Sequence, residues 1–158
     1  MNKNIDVKVF QFYIYFTKEK MLSWFSPSIK KINFENLQTL LETPEKMHLI
    51  NTLPSHQQSC LITSTLDAYK EEHTVNEMLH NLKIPERYIV VYGKNEQDET
   101  AISKTNQLSQ LGVKNVFLYS GGLFEWLLLQ DIYGSQHFPT TSAELDILSY
   151  KPPKNMFF

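Results

Sequence analysis

Cysteine and arginine are almost missing from this chain of 158 residues, which has one of each, Cys60 and Arg87. A single thiol excludes an internal disulfide framework and any zinc site built from several cysteines, and it suits a reducing compartment. Arginine is the residue that grips phosphate and similar anions through two parallel hydrogen bonds. A chain with one arginine therefore has little capacity for that kind of anion binding.

Long apolar runs and a strong net charge are also absent. No stretch approaches the roughly 20 apolar residues of a membrane-spanning helix, and residues 1–16 lack the pattern of a secretory signal. The formal net charge is −2, which disfavours the binding of nucleic acid or an anionic membrane through a basic face. We therefore expect an intracellular, cytoplasmic protein that neither inserts into a membrane nor binds nucleic acid.

The residues that are present suffice for the core of one domain, since 42% are hydrophobic and 13% are aromatic. From residue 30 onward, strand-like and helix-like segments alternate. This alternation predicts an α/β domain in which helices cover both faces of a central, mostly parallel, five-stranded sheet. We place this single domain at residues 30–133, between an N-terminal extension at 1–29 and a C-terminal tail at 134–158 that packs on the domain.

Short apolar runs predict the strands, and capping residues predict the helices. The predicted strands are one that begins at Ile32, then Met47–Asn51, Cys60–Thr63, the central Tyr88–Tyr92, and Val116–Tyr119. The predicted helices are Phe34–Leu41 after Asn33, one opened by a capping box at Thr74–Glu77, Thr100–Leu111 ended by Gly112, and Leu123–Ile132. A second capping box, Thr141–Glu144, predicts a short helix that reaches Leu148.

The N-terminal extension contains an aromatic segment with strand-like composition, Val7–Phe16. Phe10, Phe12, Ile14 and Phe16 share one side of this segment. It is interpreted as an added edge strand or docked arm, or alternatively as a segment that pairs with a partner.

Four short motifs near the end of the α/β region occur in a familiar order: Leu111-Gly112, Asn115-Val116, Gly121-Gly122 and Trp126. With the order of strands and helices, they make residues 32–126 resemble a rhodanese-like domain. The resemblance implies a loop of the form Tyr-Cys-Arg-x-Gly-x-Arg after the central strand. In that family the loop cysteine takes up sulfane sulfur as a persulfide. Loop N–H groups and arginines stabilise the charged sulfur and the anionic substrate.

In this chain the corresponding loop departs from the family pattern at every position that carries chemistry. Gly93 stands at the nucleophile position and Lys94 at the first arginine. Glu96 and Asp98 stand where the resemblance implies a glycine and the second arginine. The loop, which consists of Gly93, Lys94, Asn95, Glu96, Gln97, Asp98 and Glu99, is therefore predicted to contain no catalytic residue. Its carboxylates disfavour an anionic ligand.

Cys60 is the alternative nucleophile, and it could carry sulfane sulfur in an unorthodox sulfurtransferase. The competing interpretation is a buried cysteine that packs as a small hydrophobic residue.

Glu96, Asp98 and Glu99 are candidate ligands for Ca²⁺ or Mg²⁺, but acidic turn residues more often cap the next helix. The histidines show no metal-ligand spacing. We predict no metal and no cofactor.

The last predicted helix is apolar almost all round, so it is either buried on several sides or covered by a partner. The C-terminal tail and the aromatic arm are the internal candidates for its cover. We predict binding through Gly121, Gly122, Phe124 and Trp126 to a protein partner or a larger assembly. The sequence thus favours a catalytically inactive, protein-binding or structural module.

Overall fold

Four parallel strands form the centre of the structure, a computed structural model that describes residues 28–80 and 87–154. The strands are β1 (Lys31–Ile32), β2 (Met47–Asn51), β3 (Tyr88–Tyr92) and β4 (Val116–Tyr119), in the spatial order β1-β4-β3-β2. Leu49 of β2 pairs with Val90 of β3, and Val91 of β3 pairs with Leu118 of β4. Because β3 has a neighbour on each side and helices on both faces, its run of apolar residues is buried from Ile89 to Tyr92.

Four α-helices pack on the two faces of this sheet. They are α1 (Phe34–Leu41), α2 (Ala68–His80), α3 (Glu99–Gln110) and α4 (Gly122–Tyr133), with short 3-10 turns at Pro44–Lys46, Ser55–Gln57 and Ile147–Tyr150. One core layer contains Val90 and Tyr92 together with Trp126 of α4. The other contains Ile89 and Val91 together with residues of α3. Successive residues of β3 thus face opposite layers, as a strand requires.

The predictions that depend on local sequence are largely confirmed. The strands at 47–51, 88–92 and 116–119 and the helix at 34–41 have the predicted bounds. The Asn33 side chain accepts a hydrogen bond from the Asn36 N–H at 2.9 Å, and the Asn36 side chain accepts one from the Asn33 N–H at 3.3 Å. This reciprocal pair satisfies two N–H groups at the start of α1.

The predicted strand at Cys60–Thr63 is wrong, and the sheet in the described residues has four strands instead of five. Cys60 and Ile62 are buried, which accounts for the apolar pattern. The backbone groups of Leu61 and Thr63, however, bond to the C-terminal part of the chain. The Thr63 N–H donates to Pro139 O at 3.1 Å, and the Thr141 N–H donates to Leu61 O at 2.8 Å.

Both predicted capping boxes beyond Asn33 are also wrong. Helix α2 begins at Ala68, six residues before Thr74, where the Asp67 side chain accepts a hydrogen bond from the Lys70 N–H at 2.8 Å. The second box opens no α-helix, because the Thr141 hydroxyl accepts a hydrogen bond from the Leu61 N–H at 3.0 Å. A 3-10 turn at Ile147–Tyr150 follows instead.

Phe138 and Tyr150, from the part of the chain after α4, contribute to the core layer around Trp126. The rings of Trp126 and Phe138 meet edge to face at 5.0 Å, and the Trp126 Nε1–H donates to Pro139 O at 3.2 Å. This part of the chain therefore helps to bury α4. The predicted strand at Val7–Phe16 lies outside the described residues. Of the helices in the described ranges, none has the length and apolarity that crossing a membrane requires.

Candidate functional site

The loop of residues 93–98 follows the central strand β3 at its carboxyl end, where open parallel sheets place their ligand sites. Two backbone hydrogen bonds join the loop to the first turn of α4. The Leu123 N–H donates to Gly93 O and the Phe124 N–H donates to Lys94 O, both at 2.9 Å. Thr52 directly follows the neighbouring strand β2, and its N–H donates to the O atom of Tyr92, the last residue of β3, at 3.0 Å. The loop is therefore held between the end of β2 and the start of α4.

Gly122 allows α4 to approach this loop closely. Its φ is +65°, and a Cβ atom on it would lie 2.7 Å from the Asn95 nitrogen and 2.8 Å from the Gly93 oxygen. Both atoms belong to the backbone and cannot rotate away, so only glycine fits at this position.

The Asp98 carboxylate joins the start of the loop to the start of α3 through hydrogen bonds. One oxygen, Oδ2, accepts a hydrogen bond from the Lys94 N–H at 2.7 Å. The other, Oδ1, accepts from the Thr100 N–H at 2.9 Å and from the Thr100 hydroxyl at 2.5 Å. Asp98 thus caps α3, as predicted for an acidic residue of this turn. Glu96 and Glu99 are exposed.

The same carboxylate fills the space beside Gly93. A Cβ atom built on Gly93 would lie 2.7 Å from the Asp98 carboxyl carbon and 3.0 Å from its Cβ, and its three nearest heavy atoms all belong to Asp98. Packed interiors do not tolerate such short carbon–carbon contacts. A side chain at residue 93 therefore fits only if Asp98 moves and gives up its hydrogen bonds to the loop.

Asn95 joins the loop to the C-terminal part of the chain. Its side chain is buried, donates to Tyr150 O at 2.8 Å and accepts from the Gln97 N–H at 3.0 Å. The Lys94 ammonium lies 6.0 Å from the centre of the Tyr150 ring, within the range of a cation–π contact. No local pattern could have predicted these contacts, since Asn95 and Tyr150 are far apart in the sequence.

An open depression of about 320 Å³ lies beside the loop. Its lining includes Thr52, Pro54, Gln57, Lys94, Thr100 and Pro153, and among the described residues that line it there is no cysteine, histidine or arginine. Arg87 lies at the other end of β3, where its guanidinium is 3.3 Å from His48 Nε2. The structure thus does not bring the single arginine to the loop.

Cys60 is buried, with 1% of its surface exposed. Its thiol donates a hydrogen bond to Ser142 O at 3.2 Å, and the Ser142 hydroxyl donates to Ser59 O at 2.8 Å. This arrangement covers the sulfur with the C-terminal part of the chain.

The predicted binding residues are divided between core and surface. Trp126 is fully buried and Gly122 is buried, while Gly121 and Phe124 are half-buried. A partner could therefore contact Gly121 and Phe124, whereas the described residues enclose Trp126 and Gly122. Within the part of the chain that the structure describes, no three His, Cys, Asp or Glu residues are grouped so that they could hold a metal ion.

Comparison with known proteins gives a family match. The family model for the rhodanese-like domain matches residues 36–129 of this chain. A search of curated proteins finds none that matches.

Several solved structures share the fold. The Alr3790 protein from Anabaena sp. is 22% identical, with a TM-score of 0.51 over 75% of this chain and 97% of that chain. A full-length protein from Lactobacillus plantarum is 14% identical, with a TM-score of 0.52 over 80% of this chain and 98% of that chain. The As-Sb reductase from Leishmania major is 18% identical, with a TM-score of 0.50 over 68% of this chain and 81% of that chain. Identities this low establish a common fold only.

Proposed function

The chain belongs to the rhodanese-like domain family, and we propose that it is a catalytically inactive member that acts as a protein-binding or structural module. The observation that supports this proposal is the pairing of Gly93 with Asp98. At the position that the family resemblance assigns to the sulfur-carrying cysteine, there is no side chain. The space for one is filled by the Asp98 carboxylate, whose carboxyl carbon would lie 2.7 Å from an added Cβ atom.

The hydrogen-bond donors of the loop support the same proposal. Sulfur transfer from thiosulfate needs free N–H groups that stabilise an anion at the loop. Here the Lys94 and Thr100 N–H groups donate to Asp98 at 2.7 and 2.9 Å. A substrate anion about 4 Å from that carboxylate would meet a repulsion of roughly 1 kcal/mol in bulk water, rising to about 4 kcal/mol at an effective dielectric constant of 20. The Asp98 carboxylate thus takes the hydrogen bonds from the loop that a substrate anion would need.

The alternative, a sulfurtransferase that uses Cys60, has weaker support. A sulfur carrier must expose a thiolate to its donor and acceptor. Cys60 is 1% exposed, and its thiol is hydrogen-bonded to Ser142 O. Sulfur transfer at this position would therefore require the segment around Ser142, which covers the sulfur, to move away first.

Apolar residues that remain exposed at the end of α4 and beyond it support a binding role. In α4, Ile132 and Tyr133 are 70% and 62% exposed, and Leu145 and Leu148 beyond it are 97% and 61% exposed. Exposed apolar residues of this size are typical of protein–protein contacts when they are grouped. Ile132 and Tyr133 are neighbours at the end of α4, and we propose that a protein partner or larger assembly, and not nucleic acid, contacts them.

We also propose the domain boundaries of the chain and the compartment in which it is found. We place the rhodanese-like domain at residues 30–133, the N-terminal extension at 1–29 and the C-terminal tail at 134–158. We place the protein in the cytoplasm, where its single thiol would stay reduced.

A turnover assay tests the catalytic half of the proposal. The wild-type chain and a Cys60→Ala variant are compared for sulfur transfer from thiosulfate to cyanide, which yields thiocyanate and sulfite. We expect both to match the reaction without protein. Turnover by the wild type that the Cys60→Ala variant lacks would overturn the proposal and support the alternative.

A further inference from the structure

The depression beside the loop suits an apolar occupant. Most of the surface that lines its volume of about 320 Å³ is apolar, and two of its lining residues are prolines, Pro54 and Pro153. The hydroxyl oxygens of Thr52 and Thr100, which also line it, are hydrogen-bonded to each other at 2.8 Å. The Thr100 hydroxyl is also bonded to Asp98. Because these polar groups are already paired, an apolar side chain can enter the depression without leaving them unsatisfied.

The charges around the depression favour a segment that contains lysines. Residues 93–99, which form one side of it, include three carboxylates and one lysine. Residues 151–158 include two lysines, Lys151 and Lys154, and neither aspartate nor glutamate. Both lysines are exposed. Opposite charges on two neighbouring segments favour their contact.

The C-terminal part of the chain leads directly to this depression. Tyr150 is buried, and its carbonyl oxygen accepts a hydrogen bond from the Asn95 side chain at 2.8 Å. Lys151 is extended, with φ of −57° and ψ of 153°. Lys151 and Pro152 each precede a proline, which restricts both to extended backbone. Pro153 then forms part of the lining. The chain is thus fixed at the loop and reaches the depression three residues later.

An apolar segment follows one residue after Pro153. Residues 155–158 are Asn-Met-Phe-Phe, and they span at most about 13–14 Å when extended. That length is sufficient to cross a depression of about 320 Å³. Phenylalanine rings bury more apolar surface than most other side chains. The segment after Pro153 therefore combines the apolar side chains and the lysine that the depression favours.

We propose that residues 156–158 dock in the depression beside the loop of the same molecule. The chain itself then fills the space at the carboxyl end of β3, where open parallel sheets place their ligands. The inference does not rest on the proposed function, because it concerns which residues occupy the depression and not whether sulfur is transferred.

Nuclear magnetic resonance spectroscopy of the full, isotopically labelled chain tests this inference. In the wild type we expect nuclear Overhauser contacts between the Phe157 or Phe158 ring and the side chains of Thr52 and Thr100. We also expect backbone order parameters near about 0.85 for the amides of residues 156–158, against less than about 0.6 for a flexible segment.

Two double variants provide the matched comparison. Phe157→Ser/Phe158→Ser removes both rings, and Leu145→Ser/Leu148→Ser makes the same kind of change at residues that are 97% and 61% exposed. The ring-current shifts of the side-chain resonances of Thr52 should remain in the leucine variant and disappear in the phenylalanine variant. Thermal unfolding monitored by circular dichroism checks that both variants fold, and the wild-type contacts decide alone if one does not.

The inference fails if the two rings make no Overhauser contact with the lining in the wild type, or if residues 156–158 have order parameters below about 0.6. Ring-current shifts that persist in the phenylalanine variant would also overturn it. So would contacts that disappear on dilution together with a dimer in sedimentation analysis, because the occupant would then be a second copy.

Discussion

Replacing Gly93 with alanine tests the contact on which the inactive loop depends, because the two possible outcomes have opposite signs. The backbone at Gly93 is not left-handed, since its φ lies outside the range from +20° to +160°. At such a position, alanine alone would stabilise the protein by about 0.4–1 kcal/mol by restricting the unfolded chain. In this structure the added Cβ would lie 2.7 Å from the Asp98 carboxyl carbon. Asp98 would have to rotate out of the loop.

The cost of that rotation follows from the hydrogen bonds that Asp98 makes. Loss of the helix cap to the Thr100 N–H costs about 0.5–2 kcal/mol. The charge-assisted bond from the Lys94 N–H is worth about 1.5–3 kcal/mol. After the gain from alanine is subtracted, we expect Gly93→Ala to lower the free energy of unfolding by about 1–4.5 kcal/mol.

Urea unfolding monitored by circular dichroism measures this change, with Asp98→Gly as the matched background. Glycine still serves as an N-cap at a cost of a few tenths of a kcal/mol, and it removes all three atoms that crowd residue 93. In the Asp98→Gly background, Gly93→Ala should be neutral or stabilising by up to about 1 kcal/mol. The reasoning is refuted if Gly93→Ala stabilises the wild type, or if it destabilises both backgrounds equally.

Three further predictions concern the framework around the loop. Burial, and secondarily the Arg87 charge, lowers the pKa of His48 below its ordinary value of 6.5, so the unfolded chain binds the proton more readily than the folded chain. We therefore expect the free energy of unfolding to decrease as the pH falls from 7 to 5. In urea titrations, His48→Gln should reduce that decrease. Gly122→Ala should destabilise the domain by at least about 2 kcal/mol in the same assay, because its φ is +65° and its Cβ would meet loop backbone; an unchanged midpoint would contradict this. Trp126→Phe should lower the free energy of unfolding by about 2–3 kcal/mol, since it loses buried volume and the bond to Pro139 O, whereas a change below about 0.5 kcal/mol would show that the ring is not needed there.

The parts of the fold that could be predicted from the sequence are those in which local and tertiary preferences agree. The run of residues 88–92 is almost entirely apolar and β-branched or aromatic, and it occupies the centre of the sheet. Asn33 caps α1 through a residue only three positions away. In both cases the structure depends on neighbours in the sequence or on burial alone.

The wrong predictions arise where a distant segment takes a backbone or side-chain group. Residues 60–63 have the apolar pattern of a strand, but their backbone bonds to residues 139–141. The Thr141 hydroxyl, which the capping-box pattern assigned to its own helix, accepts from the Leu61 N–H instead. A local pattern contains no information about a contact that spans 80 residues.

The loop shows both the strength and the limit of sequence reasoning. Its acidic residues and the absence of a cysteine at residue 93 are visible in the sequence, and so is the tendency of Asp98 to cap α3. The bond from the Lys94 N–H to the second oxygen of Asp98 is not, because it depends on how the backbone turns after β3. That bond places the carboxylate against Gly93.

The most direct test of the account is the intact mass of the wild-type protein after treatment with thiosulfate under reducing-agent-free conditions. A sulfurtransferase in this state retains one additional sulfur atom as a cysteine persulfide, with sulfite released. Because residue 93 has no side chain and Cys60 is 1% exposed, we predict an unchanged mass. A mass increase of one sulfur atom that peptide mapping assigns to Cys60 would contradict the account.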